Sequence, residues 1–418
     1  MTKEIVRYLG LALVVIAVLI VTVQSGDSLR YLDESDYEQL ARSIIHHREF
    51  VLDGQLTMSR PPGYPGVIAL VYSVVESPLA AKLANLVFLA LATLALGLLA
   101  RRIEPRADVL APYLVLAYPL LLYAASVLYP QIFGCLLLTL IVALIAGENL
   151  TVGRAFVAGI LYGVLVLAIP YFLALLPLFA IFVCLRDGKL RWHSVQLAAV
   201  LVAASVVVVG IWTERNFREF HVLVPVSANN GINLLIGNSA VAQPNSGVTA
   251  NPLDLCPAAV QPGMSEYQID AATRKCAIEW VSQHPSDALR LYVLKVLNYF
   301  NYRNQLATAS EQAKWRDWLV FITYYPLLLL ALARAALFRR FPFTRAETLI
   351  YVLYFANAAA SAIFFTRLRF RIPFDFLLIG VNAAFLMRLW NLYRADRNVR
   401  ARQERATDRT LAQDGTII

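Results

Sequence analysis

Apolar residues in this chain gather into long unbroken runs, and polar residues into the short stretches between them. The runs at 5–23, 79–100 and 194–212 each approach the ~20 residues that cross a ~30 Å hydrocarbon core as a helix. Further apolar stretches at 108–125, 131–147, 153–169, 171–185, 317–337, 346–365 and 372–390 bring the predicted helical spans to ten. Inside lipid, a helix satisfies every backbone N–H and C=O within itself. The predicted fold is therefore an all-α polytopic membrane bundle. Residues 61–76, PPGYPGVIALVYSVVE, are apolar but short for a crossing. They predict a juxtamembrane hairpin on the outer face, with an eleventh span as the alternative.

Charge assigns the sides. Basic clusters at Lys3/Arg7, Arg101/Arg102/Arg106, Arg154, Arg186/Lys189/Arg191, Arg334/Arg339/Arg340/Arg345 and in the tail all fall on one face when ten spans are threaded, and lysine and arginine mark the cytoplasmic face. Both termini are then inside. An eleventh span would move Arg101/Arg102 outside. The chain divides into an N-terminal module 1–212, with an outer loop 24–60, a large outer loop 213–316, C-terminal spans 317–390 and a basic tail 391–418. The first run has a basic start but no small-x-small site after it, and is expected to stay as an uncleaved helix.

Composition sharpens this. The chain is 59% apolar and 16% charged, against about 25% charged residues in soluble domains. The net charge of +9 sits at helix ends and in the tail, where seven arginines between Arg388 and Arg409 face three acids. That pattern suits anionic lipid headgroups, not nucleic acid. Cys135 and Cys184 fall in spans. Cys256 and Cys276 share the large outer loop and can pair as a disulfide in an oxidising compartment. No CxxC or HExxH spacing is present.

The densest polar signal is the first outer segment, SLRYLDESDYEQLARSIIHHREFVLDGQLTMSRPPGYP. Ser35 and Glu38 form an S-x-x-E box that predicts a helix start. Tyr37, Leu40, Ala41, Ile44 and Ile45 then make an apolar stripe. Asp33 and Glu34 would lie just before the helix, at the water–bilayer boundary. A carboxylate fixed there can accept a proton from a hydroxyl or bind a divalent cation such as Mg or Mn. Asp36 and Asp53 are weaker candidates, and adjacent His46 and His47 do not share a helix face. Arg60, before the rigid Pro61-Pro62-Gly63-Tyr64-Pro65, can hold a phosphate. In an extended segment Arg367, Arg369 and Arg371 would project to one side, as a fork array for phosphate. Trp212-Thr-Glu-Arg215-Asn216 and Gly231-Ile-Asn233-Leu-Leu-Ile-Gly237-Asn238 suit turns and hydrogen bonds to sugar hydroxyls.

Taken in order, Asp33-Glu34 with Tyr37 and Ala41, Arg60-Pro61-Pro62-Gly63-Tyr64-Pro65, Leu128-Tyr129-Pro130, Arg215-Asn216 with Gly231–Asn238, and Arg367-Leu-Arg369-Phe-Arg371-Ile-Pro373 resemble the GT-C class of membrane glycosyltransferases. That class includes protein O-mannosyltransferases and the aminoarabinose transferases of lipid A. The resemblance implies transfer of a sugar from a polyprenyl-phosphate donor to a glycan, glycolipid or protein acceptor, on the extracytoplasmic face of a bacterial inner membrane. It implies Asp33 as the acidic catalytic residue with Glu34 supporting it, and Arg60, Arg367, Arg369 and Arg371 on the donor phosphate. Tyr37, Tyr64, Arg215, Asn216 and Asn233 would contact substrate. Many relatives have Lys or His where this chain has Arg60, and often an acid where it has Gln131, which bears on whether a metal takes part. A transporter or flippase of lipid-linked sugars is an alternative, although no internal repeat of the kind transporters carry is present. An O-antigen polymerase or ligase is another, and would rest on arginines and a histidine in the large loop.

Overall fold

The computed structural model describes residues 3–186, 188, 190–245, 254–257, 260–304 and 314–414. It is a helical bundle of α1 (Lys3–Ser25), α2 (Leu32–His47), a two-stranded ribbon β1 (Val51–Leu52) and β2 (Gln55–Leu56), α3 (Gly63–Tyr72), α4 (Pro78–Ile103), α5 (Ala107–Leu116), α6 (Pro119–Ala125), α7 (Gln131–Ile145) and α8 (Val152–Ala168). A 3-10 turn (Pro170–Leu175) leads into α9 (Leu176–Cys184), followed by α10 (Trp192–Phe220), α11 (Asn230–Gly237), α12 (Glu266–Gln283), α13 (Pro285–Tyr299), α14 (Lys314–Ala336), α15 (Arg345–Ala362) and α16 (Leu368–Asp414). Among the described residues α1, α4, α10, α14 and α16 are long and apolar enough to cross a membrane. The pair α5 and α6, bent by 71°, makes a sixth if counted as one broken span. The protein is a helical membrane protein. Each of the ten predicted spans falls on helix, but α7, α8 and α9 are individually shorter than a full crossing.

Over its apolar part α16 is 78% buried, against 22% for α1 and 17% for α14. It is the central helix of the bundle, whereas α1 and α14 present mostly apolar outer faces. A central helix with Arg371 and Asp375 in its first turns must satisfy both groups internally. Arg371 Nε donates to Asp375 Oδ2 at 2.9 Å, one turn on. Tyr118 and Tyr354 donate to the two Asp375 oxygens at 2.7 and 3.1 Å. Arg371 Nη1 reaches the carbonyl of Tyr299 at 2.8 Å and that of Asn301. Arg371 and Asp375 are both wholly buried.

The surface helix α2 starts three residues before the predicted box. Tyr31 is its N-cap in extended conformation, and Glu34, at the third helical position, reaches back to the Tyr31 N–H at 3.2 Å. The same carboxylate accepts from Arg30 N at 3.0 Å and from Leu128 N at 2.8 Å. Glu34 thereby ties the start of α2 to the segment before α7. The apolar stripe of α2 faces protein: Tyr37 and Ala41 pack with Tyr64, Ile68, Ala69 and Tyr72 of α3 and with Leu128. Within residues 61–76, predicted as a hairpin, Gly63–Tyr72 form the single ten-residue helix α3. Its first residue lies so close to the Leu167–Ala168 peptide that a Cβ at Gly63 would come within 2.7 Å of backbone, so glycine is required for the approach.

Three polar clamps hold the segment between β2 and α3. Arg215 Nη1 donates to Thr57 O at 2.8 Å, Ala228 N donates to Met58 O at 2.8 Å, and the Glu266 carboxylate receives Thr57 Oγ1 and Met58 N at 2.5 and 2.7 Å. Preceding it, Asp53 and Gly54, both at positive φ, turn the ribbon. An Asp-Gly pair suits a two-residue hairpin of this kind. Cys256 and Cys276 are joined by a disulfide. Lys295, fully buried on α13, donates to Asn238 Oδ1 at 3.0 Å and Phe364 O at 2.8 Å, tying α11 to the α15–α16 turn.

Two outcomes follow. Glu34→Gln leaves one acceptor oxygen for three backbone donors and turns an N–H toward N–H groups. With hydrogen bonds to a charged group contributing about 1.5–3 kcal/mol, the variant is expected to lower the thermal unfolding midpoint in detergent by several degrees. A wild-type midpoint would refute the structural role. Burial pushes the Lys295 ammonium down from 10.5 to about 8. Below about pH 8 it is charged in both states and burial opposes folding in full. Between about 8 and 10.5 the unfolded chain binds the extra proton, so stability rises with pH, by up to about 3 kcal/mol. Comparing unfolding midpoints of wild type and Lys295→Met from pH 7.5 to 10 isolates this rise, which the variant lacks.

Candidate active site

Four separate segments converge on Asp33. The first turn of α2 presents Asp33 and, three residues on and on the same face, Asp36. The clamped segment after β2 presents Arg60. The loop before α7 presents Tyr129, and the first turn of α16 presents Arg369. Arg60 Nη2 donates to Asp33 Oδ1 at 2.8 Å, and Arg369 Nη1 to Asp33 Oδ2 at 2.8 Å. The Tyr129 hydroxyl donates to Asp33 Oδ2 at 3.2 Å. The Nε side of Arg60 faces Asp36, with Nε at 2.9 Å and the same Nη2 that serves Asp33 at 2.5 Å from Asp36 Oδ2. The Arg369 guanidinium lies over the Tyr129 ring, 4.9 Å from its centre.

The charges of this cluster sit at the edge of water. The side chains of Asp33, Arg60 and Arg369 keep 20%, 25% and 28% of their surface exposed, so a ligand can reach them. Burial pushes the Asp33 carboxyl up, but the charges of Arg369 and Arg60 and the hydrogen bonds of Arg369 and Tyr129 outweigh it, holding the group well below the usual carboxylate range. Burial pulls Arg60 down, and Asp33 beside it more than compensates, so its guanidinium stays charged. Tyr37, pushed up to about 12 by burial and then by the Asp33 charge, stays neutral at working pH. Its ring stands edge-on to those of Tyr64 and Tyr129 at 5.6 and 6.3 Å. The arrangement offers a carboxylate acceptor, two guanidinium forks and an aromatic wall in one place.

The candidates from sequence therefore divide. Asp33, Arg60 and Arg369 meet, with Tyr37 packed beside them. Glu34 does not join them, because its oxygens are taken by three backbone N–H groups and it is wholly buried. The three arginines at the start of α16 are not an extended array. Residues 368 onward are helical, so Arg369 and Arg371 lie roughly 200° apart around the axis, and Arg371 turns inward to Asp375 instead of outward to a phosphate. Arg367 precedes the helix, 5.1 Å from the Phe365 ring. Tyr64 is buried, with its hydroxyl paired to Asn85. Arg215 sits among Trp212, Phe220 and Phe50 and Asn216 binds Val224 O, so both brace a loop. Asn233 is half-buried on α11. Tyr129 was expected only as part of a motif without an assigned role, and Asp36 only as a weaker candidate. The i, i+3 spacing of Asp33 and Asp36 was a readable signal, whereas nothing local marks Tyr129 beyond its Tyr-Pro motif.

A divalent cation does not fit the Asp33–Glu34 pair. One carboxylate is consumed by backbone and the other already faces two positive charges. Among the described residues no group of three or more His, Cys, Asp or Glu side chains is placed to hold a metal.

No family model matches the sequence, and no curated protein sequence matches it. Solved structures do. The Archaeoglobus fulgidus oligosaccharyltransferase in its apo form aligns with a TM-score of 0.51 and 16% identity, over 94% of this chain and 52% of that one. The same archaeal enzyme, AglB, in complex with an inhibitory peptide and a dolichol-phosphate gives 0.50 and 15% over the same shares. ArnT from Cupriavidus metallidurans bound to undecaprenyl phosphate gives 0.42 and 16%, over 89% of this chain and 77% of that one. The chain spans about half the length of the archaeal oligosaccharyltransferase, and across that half it has the same membrane-bundle fold.

Proposed function

We propose that the chain is a GT-C-type membrane glycosyltransferase that moves a sugar from a polyprenyl-phosphate donor to an acceptor hydroxyl. The observation that carries this reading is a single carboxylate, Asp33, held between two guanidinium groups at an exposed edge of a membrane bundle. A fork of arginines is suited to phosphate, and a carboxylate beside it is suited to a hydroxyl proton. The likeness in fold to an oligosaccharyltransferase solved with a dolichol-phosphate and the ordered motifs of the sequence agree with it.

In this reading Arg60 and Arg369 bind the donor phosphate. The acceptor oxygen forms a bond to the anomeric carbon as the carbon–oxygen bond to phosphate breaks. The electron pair goes to the phosphate oxygen, and the hydroxyl proton goes to Asp33. The arginines stabilise the charge that grows on the leaving phosphate. No step passes through a metal ion. The topology that fits is ten crossings, with α5–α6 as one broken span and the 3-10 turn and α9 as another. Both termini are then cytoplasmic, and α2, α3 and the segment 213–316 lie on the extracytoplasmic face. This places Asp33 where a lipid-linked sugar and an acceptor outside the cytoplasm can meet.

Purified protein in lipid nanodiscs, supplied with a panel of labelled polyprenyl-phosphate sugars and glycolipid or peptide acceptors, tests the reading. Loss of a general base typically slows transfer by about 10²–10⁴-fold, and Asp33→Asn is expected to fall in that range. Full transfer by Asp33→Asn would refute the assignment of the base. Absence of transfer from every lipid-phosphate sugar by the wild type would refute the reaction class.

A further inference from the structure

The Asp33 carboxylate is already engaged by the groups that would bind the donor. One oxygen receives Arg60, and the other receives Arg369 and Tyr129. A hydroxyl approaching to be deprotonated finds each oxygen already accepting from an arginine and their charge neutralised. Yet each arginine has a second support that does not involve Asp33: Arg60 has Asp36 on its Nε side, and Arg369 has the ring of Tyr129 beneath it. Asp33, too, has a second support that is not an arginine, the Tyr129 hydroxyl. The ion pairs can therefore open without any of the three side chains losing its place.

We propose that the donor phosphate displaces Asp33 from Arg60 and Arg369, so that donor binding itself frees the base, and that Tyr129 is the positioning residue that keeps the freed carboxylate aimed. This rests on the glycosyltransferase reading above. Phosphate oxygens accept the same charge-assisted N–H bonds from guanidinium groups as carboxylate oxygens, so the two ligands compete for one set of donors.

Charge counting gives the consequence. The groups facing Asp33 are Arg60 from the segment before α3, Arg369 from α16, Tyr129 from the loop before α7, and Asp36 and Tyr37 from α2 itself. With tyrosines neutral, two aspartates balance two arginines. A phosphodiester adds one negative charge and takes up the arginines, leaving Asp33 beside an anion with only a tyrosine hydroxyl as donor. Its affinity for a proton rises, and it becomes a base when there is a sugar to transfer. After transfer, Asp33 recovers the arginines as the lipid phosphate leaves, which favours release of that product.

The test needs no turnover. Binding of polyprenyl monophosphate alone to the protein in nanodiscs is measured for wild type, Asp33→Asn, Arg60→Gln and Arg369→Gln. Removing the competing charge is expected to tighten binding in Asp33→Asn by about tenfold or more, and each arginine variant is expected to weaken it by about tenfold or more. Asp33→Asn binding no tighter than wild type overturns the competition, as do arginine variants that bind like wild type. With labelled donor, the acidic limb of kcat, which reports the donor-bound state, should lie at higher pH than that of kcat/KM for the donor, which reports the free protein. Coincident limbs overturn the proposal. Tyr129→Phe keeps the ring over Arg369 but loses the hydroxyl. Its donor KM should stay near wild type while kcat falls by about tenfold, and an unchanged kcat refutes the positioning role. Sugar transfer with no gain of affinity in Asp33→Asn leaves the glycosyltransferase reading standing and removes only this inference.

Discussion

The junction of Asp33 with Arg60 and Arg369 joins residues 27 and 336 positions apart in the chain, and much of the surrounding architecture is explained by the need to make it. A partly exposed ion pair contributes little stability, about 0–1 kcal/mol, so the pair cannot assemble the fold. The fold has to deliver the pair. Each contributing segment is accordingly anchored by a buried or half-buried group close to the functional side chain. Glu34, next to Asp33, also binds the N–H of Leu128, next to Tyr129, so one carboxylate fixes the spacing of the acid and its tyrosine. Arg215 and Glu266 hold Thr57 and Met58, just ahead of Arg60. Arg371, two residues after Arg369, is locked to Asp375 and to the end of α13.

The polar residues within this bundle thus separate by exposure. Arg371–Asp375 and Arg334–Glu347 are fully enclosed and hydrogen-bonded on several sides, and Lys82 caps the C-terminal end of α1 through Ser25, Gly26 and Ser28. Burying such charges costs free energy that their mutual attraction only partly returns. What they supply is register, because an unpaired charge in the bundle would be far worse than the native pairing. In α16 the effect is direct. Rotating or sliding the helix by one residue would separate Arg371 from its partners, so the same restraint that hides Arg371 keeps Arg369 on the outer side, over Tyr129.

The apolar spans, the surface helix after the first span and the grouping of Asp33, Arg60 and Arg369 were legible in the sequence, because they depend on hydrophobic length, on local periodicity or on ordered motifs. Glu34, Arg371, Tyr64 and Asn216 lie outside the Asp33 cluster for one shared reason. Each is a residue type that binding sites use, but it is hydrogen-bonded to a partner outside its own helix: Leu128, Tyr299, Asn85 and Val224. No local pattern reveals such a partner. The arginine triplet failed on conformation. Alternation at i, i+2, i+4 reads as one face only if the segment is extended, and residues 368 onward are helical. The stretch 61–76 was read as a hairpin because it is short for a crossing and an eleventh span would move Arg101 and Arg102 outside, and neither argument reveals that residues 63–72 form one short helix.

Gln131 gains a meaning from the charge balance at Asp33. It follows Tyr129 by two residues and is buried, with its Oε1 atom unpartnered among the described residues, at the position where many proteins of the resembling class carry an acid. Two aspartates already match Arg60 and Arg369. A third carboxylate nearby would be desolvated with no cation left to pair it, which is strongly unfavourable. A neutral amide keeps the shape and hydrogen-bonding character of the side chain without the charge. Under the proposed function the same exchange bears on catalysis. A metal ion and a pair of guanidinium groups are alternative ways to place positive charge on a leaving phosphate. A third acid would favour the ion, and its absence favours the arginines. Under the proposed function Arg60, a neutral Gln131 and Glu34 withdrawn into the backbone fit one electrostatic solution, in which the donor phosphate is held by guanidinium groups and Asp33, once released from them, handles the proton.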